Sequence, residues 1–295
     1  MDFGKVLTAM VTPFDEKGNI SEERLQNLVE HLVENATDTI VVAGTTGESP
    51  TLSKEEKLYL FEKTAQFAKG RVKIIANAGS NNTKESIEFV QAIEKIHGVD
   101  GIMLVNPYYN KPSQEGLYQH FKSIAETTKL PVMLYNIPGR TAVNLNAETT
   151  IRLSAVSNIV AVKESSGDLS QIAKVIEHTS EEFAVYSGDD NLTLPILSVG
   201  GKGVVSVASH VVGKEMKEMI KAYENGESKK AAHIHRRLLP FFEGIFFTTN
   251  PVPIKAVLDQ KGIEVGSVRL PLVPLTEEEK GYINVLMEMC QTKSK

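Results

Sequence analysis

Cysteine is nearly absent from this sequence of 295 residues, which contains one, Cys290. A single thiol cannot form an internal disulfide, and its neighbours do not form a catalytic or metal-ligating cysteine motif. Long apolar runs are also missing, since none approaches the ~20 residues that cross a bilayer. The N-terminus has no basic segment followed by an apolar one, so no signal peptide is visible. We therefore expect a soluble, cytoplasmic protein with no membrane partner.

An excess of basic residues is lacking as well. The formal net charge is −5 at pH 7, and basic residues are interspersed with acidic ones along the predicted helices. A protein that binds nucleic acid needs a concentrated basic surface, so nucleic acid is excluded as the main partner. With 41% hydrophobic and 23% charged residues, the composition is that of an ordinary globular protein.

Short apolar segments rich in β-branched residues recur along the chain, separated by stretches with helical periodicity. Segments such as Ile40-Val41-Val42-Ala43 show no polar alternation, which is typical of strands covered on both faces in parallel sheets. Ser21 and Ser53 each precede acidic residues and predict the starts of two intervening helices. The predicted strands are Val6–Val11, Thr39–Ala43, Val72–Ala76, Gly101–Val105, Pro131–Tyr135, Ile159–Val162, Phe183–Tyr186 and Gly203–Val207.

Eight successive strand–helix units predict an α/β fold, the (β/α)8 TIM barrel. The alternative is an open doubly wound sheet, whose first strand usually leads into a glycine-rich turn. Here the first strand leads into Thr12-Pro13-Phe14-Asp15, which favours the barrel. Beyond Glu224 the strand pattern stops. We expect a catalytic barrel over residues 1–224 and a small C-terminal helical region over residues 225–295, with helices at Ser228–Phe242, Val252–Lys261 and Thr276–Met289.

Lys163 is the most informative residue at a predicted strand end, where barrel enzymes build their active sites. It follows the apolar segment Ile159–Val162, and loss of hydration there disfavours an ammonium group and makes a nucleophilic amine available. An amine that attacks a ketone gives an iminium, which stabilises a carbanion-like enamine. The alternative is a structural lysine paired with Glu164 or a nearby aspartate.

Hydroxyl groups at other strand ends favour the catalytic interpretation. Schiff-base chemistry moves several protons, and threonine and tyrosine hydroxyls can transfer them without adding charge to a pocket. Tyr135 ends the fifth predicted strand. Thr45 lies in the segment Gly44–Glu48, whose glycines let backbone N–H groups approach a small carboxylate closely. Each residue alone has a structural explanation, but their joint placement at strand ends predicts an active site.

Several segments at and beyond the strand ends form a recognisable set. They are Gly44–Glu48, Pro107–Asn110, Tyr135–Thr141, Val162–Glu164, Gly200–Val207, Asn250–Lys255 and Arg269–Pro271. Together, and in this order over nearly the whole chain, they resemble the dihydrodipicolinate synthase family of pyruvate-dependent aldolases. The threonine pair, the YNxP segment and the lysine are shared across the wider superfamily. Arg140 and the YYN segment are particular to the synthases.

The resemblance implies a role for each candidate catalytic residue. Lys163 would form a Schiff base with pyruvate, and Tyr135 would act as general acid and base. Thr45 and Tyr109 would complete a proton relay, with Tyr109 entering the active site of a neighbouring subunit. The second substrate would be L-aspartate 4-semialdehyde. The product would be 4-hydroxy-tetrahydrodipicolinate, on the route to diaminopimelate and lysine.

The resemblance also implies which residues bind the substrates. Thr46 and Val205 would hold pyruvate through backbone groups, and the planar guanidinium of Arg140 would bind the carboxylate of the semialdehyde. We expect no metal and no cofactor, because the iminium performs the electrophilic role. His233 and His235 are two residues apart and make a poor metal pair on a helix. The expected assembly is a homotetramer, a dimer of dimers.

Two strand ends depart from the family pattern. Asn77-Ala78-Gly79 stands where a Gly-Thr-Gly run is usual, and Asn106 stands where a threonine is common. Both lie near the predicted mouth of the barrel, and we expect them to affect rates and not the reaction class. For Asp189 and Asp190 we predict that they order a loop and do not bind a cation.

Regulation by lysine is a further expectation from the resemblance. Inhibited family members bind lysine at a subunit interface and tend to carry histidine or another non-lysine residue where this chain has Lys54 and Lys57. Two ammonium groups would repel a cationic amino acid, so we predict insensitivity to lysine. The positions that match the effector site are Ser49, Pro50, Lys54, Lys57, Asn81, Glu85 and Tyr108.

Two alternative functions stay open on the sequence alone. A sialic acid lyase or a 2-keto-3-deoxy sugar acid aldolase would use the same chemistry, although Arg140 argues against a polyhydroxylated substrate. A non-catalytic barrel that senses a small molecule would have no need of Lys163, Tyr135 and Thr45 together. An assay that offers pyruvate with each candidate aldehyde separates these functions.

Overall fold

A computed structural model of the protein describes residues 2–291, with side chains described as far as Glu288. These residues form a closed barrel of eight strands in sequence order, surrounded by helices. The predicted (β/α)8 fold is therefore confirmed. The side chain of Cys290 lies outside the described residues.

Each predicted strand segment overlaps an observed strand, and neighbouring strands pair in parallel around the barrel. The first strand is shorter than predicted, because the N–H of Val11 bonds to the ring of His210 and not to a neighbouring strand. The sixth strand is longer and includes Lys163. The strands are β1 (Val6–Ala9), β2 (Thr39–Val42), β3 (Lys73–Asn77), β4 (Gly101–Val105), β5 (Val132–Asn136), β6 (Ile159–Glu164), β7 (Ala184–Ser187) and β8 (Gly203–Ser206).

The first two helices begin where the sequence predicts. The Ser21 hydroxyl accepts a hydrogen bond from the backbone of Arg24, and Ser53 forms a reciprocal capping box with Glu56. The helices are α1 (Glu22–Glu34), α2 (Lys54–Ala68), α3 (Thr83–Ile93), α4 (Gln114–Ala125), α5 (Pro138–Thr141), α6 (Ala147–Ser154), α7 (Leu169–Glu177), α8 (Thr193–Ser198), α9 (Ser209–Glu224), α10 (Ser228–Gly244), α11 (Val252–Gln260) and α12 (Glu277–Gln291). No helix within residues 2–291 is long and apolar enough to cross a membrane.

The barrel interior and the helical shell have separate hydrophobic clusters. Side chains such as Leu7, Met103 and Tyr186 fill the interior, which is a packed core and not a pore. The buried Tyr186 hydroxyl donates to the carbonyl oxygen of Gly4 at 3.1 Å and so ties the N-terminal segment to the barrel. Because the interior is filled, a functional site is expected at the end of the barrel where the carboxyl ends of the strands lie.

The chain beyond Glu224 is helical, as predicted, and no strand occurs within residues 225–291. Phe241 of α10 and Leu286 of α12 belong to the same hydrophobic cluster as Met216 of α9. The C-terminal helices therefore extend the core of the outer shell. The division of the chain into two units after residue 224 stays a prediction.

Candidate active site

Lys163 and Tyr135 meet on neighbouring strands at the carboxyl end of the barrel. The two residues are register partners in β6 and β5, and their neighbours Glu164 and Asn136 pair in the same way. Lys163 is 6% exposed and Tyr135 is 4% exposed, and the Lys163 Nζ lies 4.1 Å from the centroid of the tyrosine ring. The two predicted catalytic groups are thus brought together in a nearly dry environment.

The amine of Lys163 is free of protein partners. Within residues 2–291 its Nζ makes no hydrogen bond and no ion pair, although it lies over the Tyr135 ring. Glu164, which the sequence offered as a partner, faces the other side of the strand and accepts hydrogen bonds from Asn136 and Ser166. Pairing with Glu164, one of the two structural alternatives for Lys163, is therefore wrong. The amine is available to a substrate.

Asp189 and Gly188 pack beside Lys163 after β7. Burial raises the pKa of Asp189, while the nearby charge of Lys163 acts to lower it. Gly188 allows close approach: a Cβ atom there would lie 1.9 Å from the Ser165 Oγ and 3.1 Å from the Lys163 Cε. This steric role of Gly188 could not be predicted from the sequence. The absence of a side chain at Gly188 therefore leaves room for the side chain of Lys163.

The loop after β2 carries the predicted threonine pair. Thr45 is half-buried and Thr46 is buried, and Glu48 has the left-handed conformation with φ of 56°. A Cβ atom on Gly47 would lie 3.0 Å from the Ala43 Cα, so this turn requires glycine. The loop is therefore tightly folded, and Thr45 is more exposed in it than Thr46.

A cavity of about 320 Å³ opens at this end of the barrel. Its lining contains Thr45, Tyr135 and Arg140 of the predicted site. Neither the hydroxyl of Thr45 nor that of Tyr135 forms a hydrogen bond to another residue that the structure describes. Both hydroxyls are therefore available to a ligand. Lys163 lies against the Tyr135 ring next to this cavity. The volume suits small organic acids.

A buried polar network holds the segment that bears Arg140. Asn136 Oδ1 accepts from the backbone of Leu145 at 2.9 Å, and Asn136 Nδ2 donates to the Glu164 carboxylate at 3.0 Å. Burial raises the pKa of Glu164, and the hydrogen bonds from Ser166 and Asn136 act against that rise. The network connects the strand ends of Tyr135 and Lys163 to the segment that follows Arg140.

Val205 lies in β8, and its side chain is fully buried in the barrel interior. The end of this strand is held by Asp190, whose Oδ2 accepts from the backbone N–H groups of Val207 and Ala208 at 3.2 and 2.9 Å. Burial raises the pKa of Asp190 to about 6. The predicted loop-ordering role is thus confirmed for Asp190.

Tyr109, unlike the other predicted catalytic residues, is almost fully exposed to solvent. It is 90% exposed, and its φ of 75° is unusual for a residue with a side chain. The loop is nevertheless held, since Asn81 Nδ2 donates to the Tyr108 carbonyl oxygen and Asn110 Nδ2 donates to the Asn81 carbonyl oxygen. An exposed aromatic side chain on a well-held loop suits contact with another molecule.

The two departures from the family pattern make structural hydrogen bonds near the mouth. Asn77 Nδ2 donates to the Ala43 carbonyl oxygen at 2.9 Å, and Asn106 Nδ2 donates to Asn136 Oδ1 at 2.8 Å. Their effect on rates stays a prediction. No group of three metal-ligating side chains occurs in the part of the chain that the structure describes.

Residues of the C-terminal region also reach the site, which the sequence did not predict. Asn250 Nδ2 donates to the Thr46 Oγ1 at 3.0 Å. Lys255 Nζ lies 2.8 Å from the Glu48 Oε1, and both side chains are buried. The segment Asn250–Lys255 was visible as a family motif, but its sequence gave no sign of these contacts.

Comparisons with known proteins give one family. The model of the dihydrodipicolinate synthetase family matches residues 2–289. The 4-hydroxy-tetrahydrodipicolinate synthase of Bacillus subtilis (strain 168) is 61% identical over 281 residues, which is 95% of this chain and 97% of that protein. The corresponding synthase of Bacillus velezensis is 60% identical over 280 residues, 95% of this chain and 96% of that protein.

Solved structures agree with this result. The crystal structure of a dihydrodipicolinate synthase from Bacillus anthracis matches with a TM-score of 0.96 at 52% identity and covers 100% of both chains. The synthase from Cyanidioschyzon merolae, solved with lysine bound, matches with a TM-score of 0.96 at 47% identity and covers 98% of both chains.

Proposed function

The chain belongs to the dihydrodipicolinate synthetase family, and on this premise we propose that it is a lyase that condenses pyruvate with L-aspartate 4-semialdehyde. The product is 4-hydroxy-tetrahydrodipicolinate, in the biosynthesis of diaminopimelate and lysine. The observation that carries the proposal is the unpaired amine of Lys163, buried against the ring of Tyr135. The reaction needs no metal and no cofactor, because a protein amine supplies the electrophile.

The covalent steps balance without any further reactant. The Lys163 amine adds to the ketone carbon of pyruvate, and loss of water from the carbinolamine gives an iminium. Loss of a methyl proton gives an enamine, whose carbon attacks the aldehyde of the second substrate. The amino group of the semialdehyde then replaces Lys163 at the iminium carbon, which closes the ring and frees the enzyme. One water molecule is released overall.

Tyr135 is the group that transfers these protons in the proposal. Its hydroxyl makes no hydrogen bond within residues 2–291, and its ring holds the amine of Lys163 in place. Thr45 lines the same cavity and extends the relay. The exposed Tyr109 completes it from a neighbouring subunit, in a homotetramer built as a dimer of dimers that works in the cytoplasm.

The carboxylates of the two substrates have separate partners in the proposal. Backbone groups of Thr46, which follows β2, and of Val205, which lies in β8, hold pyruvate. Arg140 lines the cavity and binds the carboxylate of the semialdehyde through its planar guanidinium. This second contact distinguishes the substrate from a polyhydroxylated sugar acid.

Borohydride reduction in the presence of pyruvate tests the covalent step. We expect one reduced pyruvyl group, found by mass spectrometry on Lys163. Lys163→Arg should abolish the adduct, whereas the same change at the exposed Lys174 should leave it intact. An adduct on another lysine, or none on the wild-type chain, contradicts the mechanism.

A parallel assay tests the second substrate. Pyruvate is offered with L-aspartate 4-semialdehyde, N-acetylmannosamine or glyceraldehyde under the same conditions. The proposal expects turnover with the semialdehyde and a fall of that activity in Arg140→Ala. A preference for either sugar-derived aldehyde would instead assign a sialic acid lyase or a sugar acid aldolase activity.

A further inference from the structure

The amide of Asn250 contacts the hydroxyl of Thr46 from outside the barrel. Asn250 lies just before α11 and is 204 residues away in the sequence, yet its Nδ2 donates to the Thr46 Oγ1 at 3.0 Å. Asn250 is 6% exposed and Thr46 is 3% exposed. We propose that Asn250 is a positioning residue that aims the Thr46 hydroxyl at the carboxylate of the bound keto acid.

Hydrogen-bond accounting gives the direction of this effect. A threonine hydroxyl has one O–H donor and an oxygen that accepts. The amide N–H of Asn250 occupies the oxygen, so the hydroxyl proton is directed elsewhere. Within residues 2–291 no protein acceptor takes that proton. A carboxylate bound beside Lys163 is an acceptor of suitable charge.

An ion pair holds the segment that carries Asn250. Lys255 Nζ lies 2.8 Å from the Glu48 Oε1 and donates to the Ser267 carbonyl oxygen at 2.8 Å. The other carboxylate oxygen of Glu48 accepts from the backbone N–H of Arg269 at 2.8 Å. Both ends of the threonine loop, at Thr46 and at Glu48, are therefore bonded to the C-terminal region.

The side chain of Asn250 bonds to Thr46 through its Nδ2 alone, because its Oδ1 has no partner among the described residues. Asn250 Oδ1 makes no hydrogen bond to the residues that the structure describes. Asn250→Leu keeps a similar volume and removes the bond to Thr46 without leaving a second protein group unpaired. This variant therefore separates the positioning of a hydroxyl from the stability of the fold.

Pyruvate saturation is the measurement, and it rests on the proposed function. The rate of borohydride trapping is followed against pyruvate concentration, and the KM of each substrate is measured in the steady state. Asn250→Leu should raise the KM for pyruvate by about tenfold, which corresponds to about 1.4 kcal/mol. The KM for the semialdehyde and the melting temperature should stay close to those of the wild type.

A double-mutant cycle with Thr46 isolates the contact. Thr46→Val should raise the KM for pyruvate to a similar extent, and Thr46→Ser, which keeps the hydroxyl, should restore it. In the Thr46→Val background, Asn250→Leu should have no further effect on pyruvate. Additive effects of the two substitutions, or equal increases in both KM values, would overturn the proposal.

Trapping of the wild-type chain by pyruvate shows whether a negative result contradicts the role of Asn250 or the proposed function itself. If the wild type is trapped by pyruvate and Asn250→Leu saturates at the same concentration, Asn250 has no positioning role. If the wild type gives no pyruvyl adduct, the proposed function itself is wrong.

Discussion

Tyr135 and Lys163 occupy matching positions on two neighbouring parallel strands, and the Lys163 Nζ lies 4.1 Å from the centroid of the Tyr135 ring. Because both side chains stand on hydrogen-bonded strands and not on loops, their separation is fixed by the barrel. An ammonium group over an aromatic face is attracted to it, and the contact strengthens when water is excluded. The tyrosine ring thus orients the amine, while its hydroxyl remains free for proton transfer.

Tyr135→Phe tests this division of roles. The ring and its contact with Lys163 are retained, but the proton-transferring hydroxyl is lost. We expect kcat to fall by roughly 10²- to 10⁴-fold, the usual contribution of a general acid–base group. The free energy of unfolding should hardly change, since no protein group within residues 2–291 bonds to this hydroxyl. Steady-state kinetics and urea denaturation check the two expectations, and an active variant would remove Tyr135 from the relay.

Gly188→Ala tests how tightly the lysine side chain is confined. The added Cβ would lie 3.1 Å from the Lys163 Cε and 3.2 Å from the Glu164 carbonyl oxygen. The Ser165 hydroxyl can rotate away from the added methyl group, whereas the Glu164 carbonyl oxygen belongs to the backbone of β6 and stays in place. The side chain of Lys163 must therefore move to make room. We expect trapping by pyruvate to slow by roughly ten- to a hundredfold, since small displacements of reacting groups are costly.

Gly139→Ala is the matched control for that substitution. Gly139 precedes Arg140 at the same end of the barrel, and a Cβ there would meet no heavy atom within 4 Å. Trapping in this variant should equal that of the wild type. Equal rates in the Gly188 and Gly139 variants would show that Lys163 has more room than the structure indicates.

Local patterns predicted the strands and the side chains that the strands carry. Lys163 and Tyr135 could be found because an apolar run ends next to each, and the carboxyl ends of parallel strands converge. The position of Lys163 inside the strand, instead of just beyond it, is within the usual error of boundary assignment. The predicted roles of Thr45 and Arg140 came from the family resemblance, and their position in one cavity came from the structure.

Contacts between distant segments could not be read from the sequence. Asn250 and Thr46, or Lys255 and Glu48, are about 200 residues apart, and no periodicity links them. The need for glycine at position 188 depends on side chains that approach from another strand. Such contacts are set by tertiary packing, which local propensity and spacing do not encode.

The buried pair of Lys255 and Glu48 makes a prediction about stability. Burial lowers the pKa of Lys255, and the Glu48 charge acts against that shift. Lys255→Met leaves an uncompensated buried carboxylate and should lower the free energy of unfolding by about 3–5 kcal/mol. Changing Glu48→Gln as well should recover much of this loss, because no unpaired charge then remains.

Urea denaturation measures the effect, with a surface pair as control. Lys174 and Glu148 form an exposed ion pair, with side chains that are 52% and 62% exposed. Lys174→Met should cost no more than about 1 kcal/mol. If Lys255→Met behaves like this surface variant, or if the double variant is as unstable as the single one, the buried pair does not hold the C-terminal segment.

His210 makes stability depend on pH. Its ring is fully buried, and burial lowers its pKa from 6.5 to about 4. The Nε2 accepts from the Val11 N–H at 3.1 Å, and the Nδ1 lies 2.8 Å from the Val207 carbonyl oxygen. The folded state binds fewer protons than the unfolded state, so this contribution is complete above pH 6.5 and is lost as the pH falls towards 4.

His210→Gln should therefore reduce the acid sensitivity of folding. Between pH 7 and pH 5 the wild type should lose about 2 kcal/mol more of its unfolding free energy than the variant does. His120, whose pKa burial also lowers to about 4, is present in both proteins. Asp190 has a raised pKa and an opposite pH dependence, and it is also unchanged in both. An equal loss in variant and wild type would contradict the assignment to His210.

The positive charges of Lys54 and Lys57 bear on regulation by lysine. Lys57 lines the same cavity as Arg140, Ser49 and Tyr108. Burial lowers the pKa of Lys57, and the charge of Lys54 lowers it further. The two lysines therefore influence each other, and Lys57 lies beside Ser49 and Tyr108, two further positions that the family resemblance assigns to the effector site.

We predict that millimolar lysine leaves the rate unchanged at physiological salt. After screening, a loss of about 1 kcal/mol for each opposing charge would lower the affinity by roughly thirtyfold in total. The variant with both Lys54→Gln and Lys57→Gln removes these charges and keeps long polar side chains, so it should gain inhibition by lysine. Steady-state rates against lysine concentration, repeated at two salt concentrations, provide the measurement. Saturable inhibition of the wild type in the millimolar range would refute the prediction, because it would mean that both ammonium groups turn away from the effector.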